Sequence, residues 1–263
     1  MTSTQHLPVF QRPNEWLRPL SREYPDGHRL PEHWHEGAQL VYAPSGVMEL
    51  RCADSLWVIS PQQALWLPAH LPHQLRARGP VALRTLYLHP QVCPAQAPGS
   101  PQSLVVTPLL RELLLSAEPV HADTPHDERA WHLFQLLLDE LRWAQGIDLS
   151  LGMPADARLQ KLCSALLQHP EDARSLEDWG RQVGAAPRTL SRLFRAELGT
   201  TFILWRQQAR IFAALPRLGQ GQSVTRVASE LGYDSAGAFA TAFRRVMGRS
   251  PSAFRRSASQ GQD

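Results

Sequence analysis

The chain has 263 residues, enough for two domains that each bury a core of their own. Hydrophobic residues make up 43% and the formal net charge is only +3, which excludes a disordered polyelectrolyte, and no apolar run reaches the ~18 residues of a membrane span. Three widely spaced cysteines, Cys52, Cys93 and Cys163, exclude a disulfide framework and a zinc-finger spacing.

The start, Met1 to Pro13, is polar and interrupted by proline, unlike a signal peptide. With the cysteine pattern it leads us to expect a cytoplasmic protein. Charge is unevenly spread. From Ala155 onward there are 16 Lys+Arg against 9 Asp+Glu, whereas residues 1 to 154 hold 11 against 15. A basic second half is what phosphate neutralisation asks for.

Residues 1 to about 24 read as extended or loose, because Pro8, Pro13, Pro19 and Pro25 oppose a helix. From His33 to about His89 the pattern becomes short runs at period two. Gln39–Ala43, Val47–Cys52, Leu56–Ile59, Ala64–Leu67, Gln74–Arg78 and Ala82–Leu88 each have strand length, as in an all-β sandwich or barrel. Pro44-Ser45-Gly46, Ser60-Pro61 and Gly79-Pro80 supply turn chemistry between them. His33, His35 and Gln39 share one parity and would face one way on a single strand, with Trp34 and Glu36 facing the other. Pro90–Ser103 reads as a loop. Two apolar helices follow, Leu104–Glu118 and Glu128–Gln145, each too apolar for a single buried stripe. Packing under the barrel is one reading of that surface, and a dimer contact through the second helix is the other. Gly146–Pro154 reads as a linker.

The basic half opens with a helix over Asp156–Gln168. Ser175-Leu176-Glu177-Asp178 has the form of a capping box, Gly184 marks a turn, and Pro187 suits the first position of the next helix. Leu190, Leu193, Phe194 and Leu198 face inward there and Gly199 ends it. Arg188, Thr189, Ser191, Arg192 and Arg195 are left on the other side, with chemistry for bases and phosphates. Ala186 stands where a capping Ser would serve better. Phe202–Leu218 reads as a connecting helix that Pro216 should kink or end. The plan then repeats. Ser223 caps a short helix, Gly232 ends it, Ser235 caps another, and Gly248 stops that one. Two helix-turn-helix units result, at about 175–198 and 223–247. On one rigid body they would enter successive major-groove segments about 34 Å apart.

The run from Leu231-Gly-Tyr-Asp-Ser through Phe239 and Phe243 to Gly248-Arg-Ser-Pro251-Ser-Ala-Phe254 resembles the signature of the AraC/XylS family of bacterial transcription regulators. That resemblance covers roughly the last hundred residues. It implies sequence-specific binding to double-stranded promoter DNA, a small-molecule effector, a homodimer, and RNA polymerase as a partner if the protein activates. It also implies DNA contacts from Ser235, Ala236, Gly237, Ala238, Thr241, Arg244 and Arg245, beside the five residues of the first unit. Gly237 and its alanine neighbours carry little base-reading chemistry, so the first unit is expected to read bases and the second to hold the backbone.

In the first half, H-x-H-x3-Q over His33, His35 and Gln39 with Gly46 beyond, then P-x-x-x-x-H from Pro68 to His73, resembles the two motifs of the cupin superfamily. Cupins are jelly-roll barrels, many of which hold a metal through two His, a carboxylate and a third His. The resemblance implies His33, His35, Gln39 and His73 as ligands of a divalent transition metal. Gln39 departs from the usual Glu, and His70 stands where Gly is usual. Two other readings of these residues stay open: internal hydrogen bonding, and an effector pocket joined by Trp57, Trp66 or Tyr87.

The expected architecture is therefore α+β in two domains, a cupin-like barrel with two following helices and an all-α domain. The divisions are a sensor barrel at 1–103, a helical dimerisation segment at 104–154 and a DNA-binding domain at 155–258. The expected function is a DNA-binding transcription regulator responsive to an effector or metal. The alternative is a metal-dependent cupin enzyme with a DNA-binding tail. It lacks the carboxylate of an Fe(II) facial triad, since Gln39 is neutral and Glu36 has the wrong parity.

Overall fold

The computed structural model describes residues 4–12, 14–52, 54–61, 63–141 and 150–259. The chain divides into two units. The first is built on β1 (Gln5–His6), β2 (Glu15–Tyr24), β3 (Arg29–Trp34), β4 (Ala38–Cys52), β5 (Ser55–Ile59), β6 (Gln63–Leu67), β7 (His73–Leu88), β8 (Gln102–Val105), α1 (Pro108–Ser116), β9 (Val120–His121) and α2 (Arg129–Glu140). The second holds β10 (Ser150–Gly152), α3 (Ala157–Gln168), α4 (Leu176–Val183), α5 (Pro187–Leu198), α6 (Phe202–Gly219), α7 (Val224–Glu230), α8 (Ala236–Met247) and α9 (Pro251–Ser259), together with Asp54–Trp57.

Two long strands organise the first unit. β4 and β7 pair antiparallel along their whole length, from Ala38 against Leu88 to Cys52 against His73. Each belongs to two layers. Near Cys52 and His73 they are flanked by β3 and β5, and near Ala38 and Leu88 by β2, β6 and β8. The expected turns at Pro44–Gly46 and Gly79–Pro80 are not turns. They are facing irregularities inside β4 and β7, where register shifts between Tyr42 and Val47 let both strands bend from one layer into the other. Gly46 has φ +81°, and a Cβ there would lie 2.3 Å from the Pro80 carbonyl oxygen. A bulge and a turn ask for the same residue types, so the sequence divided each long strand in two.

Three more expectations meet the structure here. Residues 15–24, read as extended or loose, are extended and form β2, Pro19 included. β9 reaches only Glu15 and Leu17, so among the described residues Pro19 pairs on one side alone, against Leu86, where a missing N–H costs little. Leu104 and Val105, read as the start of a helix, belong to β8, paired with Ala64 and Gln63. α1 starts later, capped by the Thr107 hydroxyl on the Leu110 amide. The expected second helix is present as α2, and its stretch beyond Leu141 lies outside the described residues.

Register explains why β4, β6 and β7 read as almost continuously apolar. Leu40 pairs with both Trp66 and Leu86, and these face outward with Ala38, Tyr42, Ala64 and Leu88 into a core closed by Leu110, Leu113, Leu114, Phe134 and Leu137 of α1 and α2. Gln39, Leu67, Tyr87, Val41, Leu65 and Thr85 take the other face, toward the interior, and are buried there. The strands are therefore buried on both sides.

The helical unit follows its local signals. Ser175 and Asp178 form the reciprocal capping box, and Ser223 and Ser235 cap α7 and α8. Ala186 makes no side-chain cap, and Pro187 opens α5. Gly184, Gly199 and Gly248 close α4, α5 and α8 in the left-handed conformation. α6 does not end at Pro216 but runs through it to Gly219. Leu215 and Leu218 on either side are fully buried, and the Pro216 carbonyl accepts the Gln220 amide at 3.0 Å, so packing holds the last turn. The sequence reading missed α9. Its Phe254 is fully buried and meets Phe243 of α8 edge-on at 5.8 Å.

Candidate ligand pocket and nucleic-acid interface

Inside the first unit, His33, His35 and His73 come together as expected. They do not share one strand with Gln39. His33 lies near the end of β3, His35 in the link after it, and Gln39 on β4 beyond Gly37. Gly37 is pressed between the Phe10 ring and the Leu88 carbonyl, each under 3.0 Å from where a Cβ would sit, which brings β4 close. One candidate ligand atom from each histidine falls within 4.8 Å of the other two, and the ring centres are 4.4 to 5.4 Å apart. All three are buried, as is Gln39.

The protonation of this group follows from its hydrogen bonds. Each Nδ1 meets a main-chain carbonyl: His33 that of Pro31 at 2.7 Å, His35 that of Leu7 at 2.8 Å, His73 that of Leu71 at 2.9 Å. A carbonyl only accepts, so each Nδ1 carries a proton, and a neutral ring in this place keeps its lone pair on Nε2. Burial pushes the His73 pKa down to about 3 and that of His35 below its ordinary value, with neighbouring histidines adding to the shift. Both are neutral at pH 7. Gln39 is fixed by the same logic. The Thr85 hydroxyl donates to the Leu40 carbonyl at 3.0 Å, so its oxygen is left to accept the Gln39 amide N–H at 3.0 Å. That N–H₂ also donates to the Tyr87 hydroxyl at 3.3 Å. Gln39 Oε1 and His35 Nε2 are buried without a partner. The pocket thus gathers lone pairs, and its protons point away.

Glu36 does not join it. Its carboxylate accepts the Val9 and Phe10 amides and faces His6 at 2.8 Å. Partial burial opposes ionisation there, but the hydrogen bonds from His6 and the backbone amides outweigh it and hold the pKa at about 2. Trp66 also lies elsewhere, on the outward face, with its indole N–H on the Pro98 carbonyl. Tyr87 is in contact, its ring 4.9 Å from that of His35. Thr85 was missed, although it shares the parity of Tyr87 two residues on. His70, which stands where Gly is usual, takes φ +62°, alone among the described non-glycine residues in the left-handed region.

In the second unit, α4–α5 and α7–α8 are the two helix-turn-helix pairs. Gly180 of α4 admits the first turn, since a Cβ there would lie 2.5 Å from the Ala185 carbonyl. On α5, Arg188, Ser191, Arg192 and Arg195 are exposed and Thr189 is half-buried, opposite buried Leu190 and Phe194. Several arginines of this unit are paired with carboxylates: Arg158 with Asp156, Arg174 with Asp172, Arg181 with Asp178, Arg217 and Arg226 with Glu230. Arg188, Arg192 and Arg195 have no such partner among the described residues. α8 differs. The Ser235 hydroxyl caps the helix, Thr241 donates to the Gly237 carbonyl at 3.1 Å, and Arg245 donates to Gln207 of α6. Ala236 is half-buried, while Gly237 and Ala238 are exposed. Arg244 is exposed and unengaged among the described residues.

Comparison with known proteins bears on both units. Residues 19–112 match the AraC-like ligand binding domain, and residues 179–257 match a helix-turn-helix domain. Over 221 residues, covering 84% of this chain and 80% of the relative, the chain is 30% identical to the HTH-type transcriptional regulator NimR of Escherichia coli. The chain belongs to the AraC family of transcription regulators. The Arabinose operon regulatory protein of Escherichia coli is 32% identical over 128 residues, which cover 48% of this chain and 43% of that one. A crystal structure of ToxT from Vibrio cholerae aligns with 92% of this chain and 98% of its own at 10% identity and a TM-score of 0.39. Like its AraC-family relatives, this protein is a DNA-binding regulator with an N-terminal ligand-binding domain, not a cupin enzyme with a DNA-binding tail. No helix among the described residues is long and apolar enough to cross a membrane.

Proposed function

We propose that the barrel is the sensor of this AraC-family regulator and that His33, His35, His73 and Gln39 hold its ligand, a divalent transition metal ion. One observation carries this: His33, His35 and His73 each offer a ligand atom within 4.8 Å of the others, each ring is locked by a main-chain carbonyl at Nδ1, and Gln39 Oε1 is buried without a partner. Outer partners of this kind orient metal-binding imidazoles. Neutral nitrogen and amide-oxygen donors suit a transition metal better than magnesium or calcium. When bound, the ion would supply a fixed positive charge that these groups alone do not have.

The test is elemental analysis of the full-length protein, purified without chelator or affinity histidines, beside His33→Ala/His35→Ala. Near-stoichiometric metal in the wild type and its loss in the variant are expected. Gln39→Glu should bind metal at least tenfold more tightly, because a carboxylate replaces a neutral oxygen. A metal-free wild type that takes up none when titrated would overturn the reading. The four acceptors would then serve an organic effector rich in N–H or O–H donors.

The DNA contacts proposed are Arg188, Thr189, Ser191, Arg192 and Arg195 on α5, reading bases, and Ser235, Ala236, Gly237, Ala238, Thr241, Arg244 and Arg245 at α8, holding the backbone. Locally bonded side chains on α8 support that assignment. The working segments are 1–103, 104–154 and 155–258, with β8 crossing the first boundary. A homodimer contact through α2 is supported by Leu136, which is 41% exposed. RNA polymerase is a partner if the regulator activates, and the cytoplasm is its compartment.

A further inference from the structure

We propose that Arg210 is the positioning residue that fixes the second helix-turn-helix unit against the first, and so sets the spacing of DNA segments the protein accepts. Arg210 lies on α6, which connects the two units. Its guanidinium fans out to four main-chain carbonyls. Nε donates to Pro170 at 2.7 Å, Nη2 to Glu171 at 3.3 Å and Asp172 at 3.1 Å, and Nη1 to Gly232 at 3.3 Å. The first three belong to the loop that leads into α4. The fourth is the turn between α7 and α8.

The contact is close as well as polar. Gly232 has φ +72°, and a Cβ there would lie 2.9 Å from the Glu171 carbonyl oxygen and 3.3 Å from Arg210 Nη2. The turn of the second unit therefore rests directly on the entry loop of the first, with the guanidinium between them. The next residue, Tyr233, puts its ring under the same group at 5.6 Å. Arg206, one turn earlier on α6, ties the same loop through the Arg174 carbonyl at 2.9 Å, but it does not reach Gly232. Arg210 alone among the described residues donates to both sides.

Only arginine suits this place. Five donors in a rigid plane can serve carbonyls that diverge, whereas a lysine ammonium presents one compact charge. Four carbonyl acceptors and no carboxylate also mean that Arg210 is not balancing a charge here; it orders main chain. A helix-turn-helix pair held at a fixed angle tolerates one separation of its two groove segments, and a base pair added between them turns one segment by about a tenth of a turn.

The proposal rests on both units touching DNA. The test starts with an operator selected from random DNA by the full-length protein, then footprinted. A footprint confined to one unit would sink that prior reading and the spacing role of Arg210 with it, whereas a footprint over both leaves only the role of Arg210 at stake. With both segments protected, the wild type should lose about tenfold or more in affinity when one base pair is inserted between them. Arg210→Lys should lose about tenfold on the original operator, while its penalty for the insertion falls below about threefold. Arg210→Ala is expected to go further in the same direction. Three outcomes overturn the proposal: no insertion penalty in the wild type, wild-type behaviour of both variants, or a loss that lowers Tm and both affinities by one factor with the insertion penalty intact. If Arg210→Ala fails to fold, Arg210→Lys decides.

Discussion

The histidine pocket and the exposed face of α5 use similar means, polar side chains on regular elements, but they are supported in opposite ways. Every polar group of the pocket is held by another: three imidazoles by carbonyls, Gln39 by Thr85, Thr85 by Leu40. The arginines of α5 are held by nothing among the described residues. A pocket of the first kind gives up its conformational freedom on folding and waits for a ligand already shaped. A face of the second kind orders its side chains only on contact and can adapt to the surface it meets. α8 stands between them, with Ser235, Thr241 and Arg245 locally bonded and Arg244 exposed.

The comparison can be broken in three places. The largest effect is expected at Arg192. Arg192→Ala should cost ~1–3 kcal/mol on the selected operator and little on random DNA if α5 reads bases. An equal loss on both would make α5 a backbone clamp. The next concerns the pocket. His73 titrates near 3 in the folded chain and near the ordinary value of about 6.5 when unfolded, so acid favours the unfolded state. The stability it contributes is complete above about pH 6.5 and is lost as pH falls from there toward about 3. In metal-free protein, the melting transition of the barrel should weaken by roughly 2 kcal/mol at pH 5, and His73→Gln should flatten that slope. An unchanged slope would mean that the pocket is wetter and less fixed than its hydrogen bonds imply. The smallest effect is expected at Arg244. Arg244→Ala should weaken binding a few-fold on every sequence and lower the salt slope by about one. A sequence-dependent loss there would reverse the roles of α5 and α8.

The helical unit was legible because its signals are local. Ser175 with Asp178, Ser235 with Gly248, and the buried stripe of Leu190 and Phe194 each act within one or two turns. α9 was lost only because Gly248 and Pro251 were read as an end, although the Ser250 hydroxyl accepts the Ala253 amide and begins a new helix. The barrel was less legible because its geometry depends on pairing across long separations. The composition of Pro44–Gly46 does not say whether it turns the chain or bends it. The face of Trp66 follows from its pairing with Leu40, which lies 26 residues away in the chain. Thr85 matters only once β7 lies beside Gln39. The histidines themselves are recognisable from spacing, yet shared parity does not place them on one strand with Gln39. His33 and Gln39 face the same interior from two strands, β3 and β4.

The facing irregularities in β4 and β7 bear on how this barrel can change its length. β7 supplies His73 at its start and Thr85 and Tyr87 near its end, and its inward residues keep odd numbers throughout. Between the pairs Ser45–Ala82 and Val47–Arg78, β7 carries Gly79, Pro80 and Val81 where β4 carries Gly46 alone. The earlier shift, between Tyr42 and Ser45, gives one residue back to β4, so β7 keeps odd numbers inward while β4 changes from Gln39 and Val41 to Met48 and Leu50. A single inserted residue in β7 between His73 and Thr85 would turn Thr85 and Tyr87 toward α1 and α2 and bring Leu86 and Leu88 inside. The gene can therefore lengthen or shorten this strand in steps of two codons and keep the pocket, whereas a step of one exchanges its polar lining for leucine.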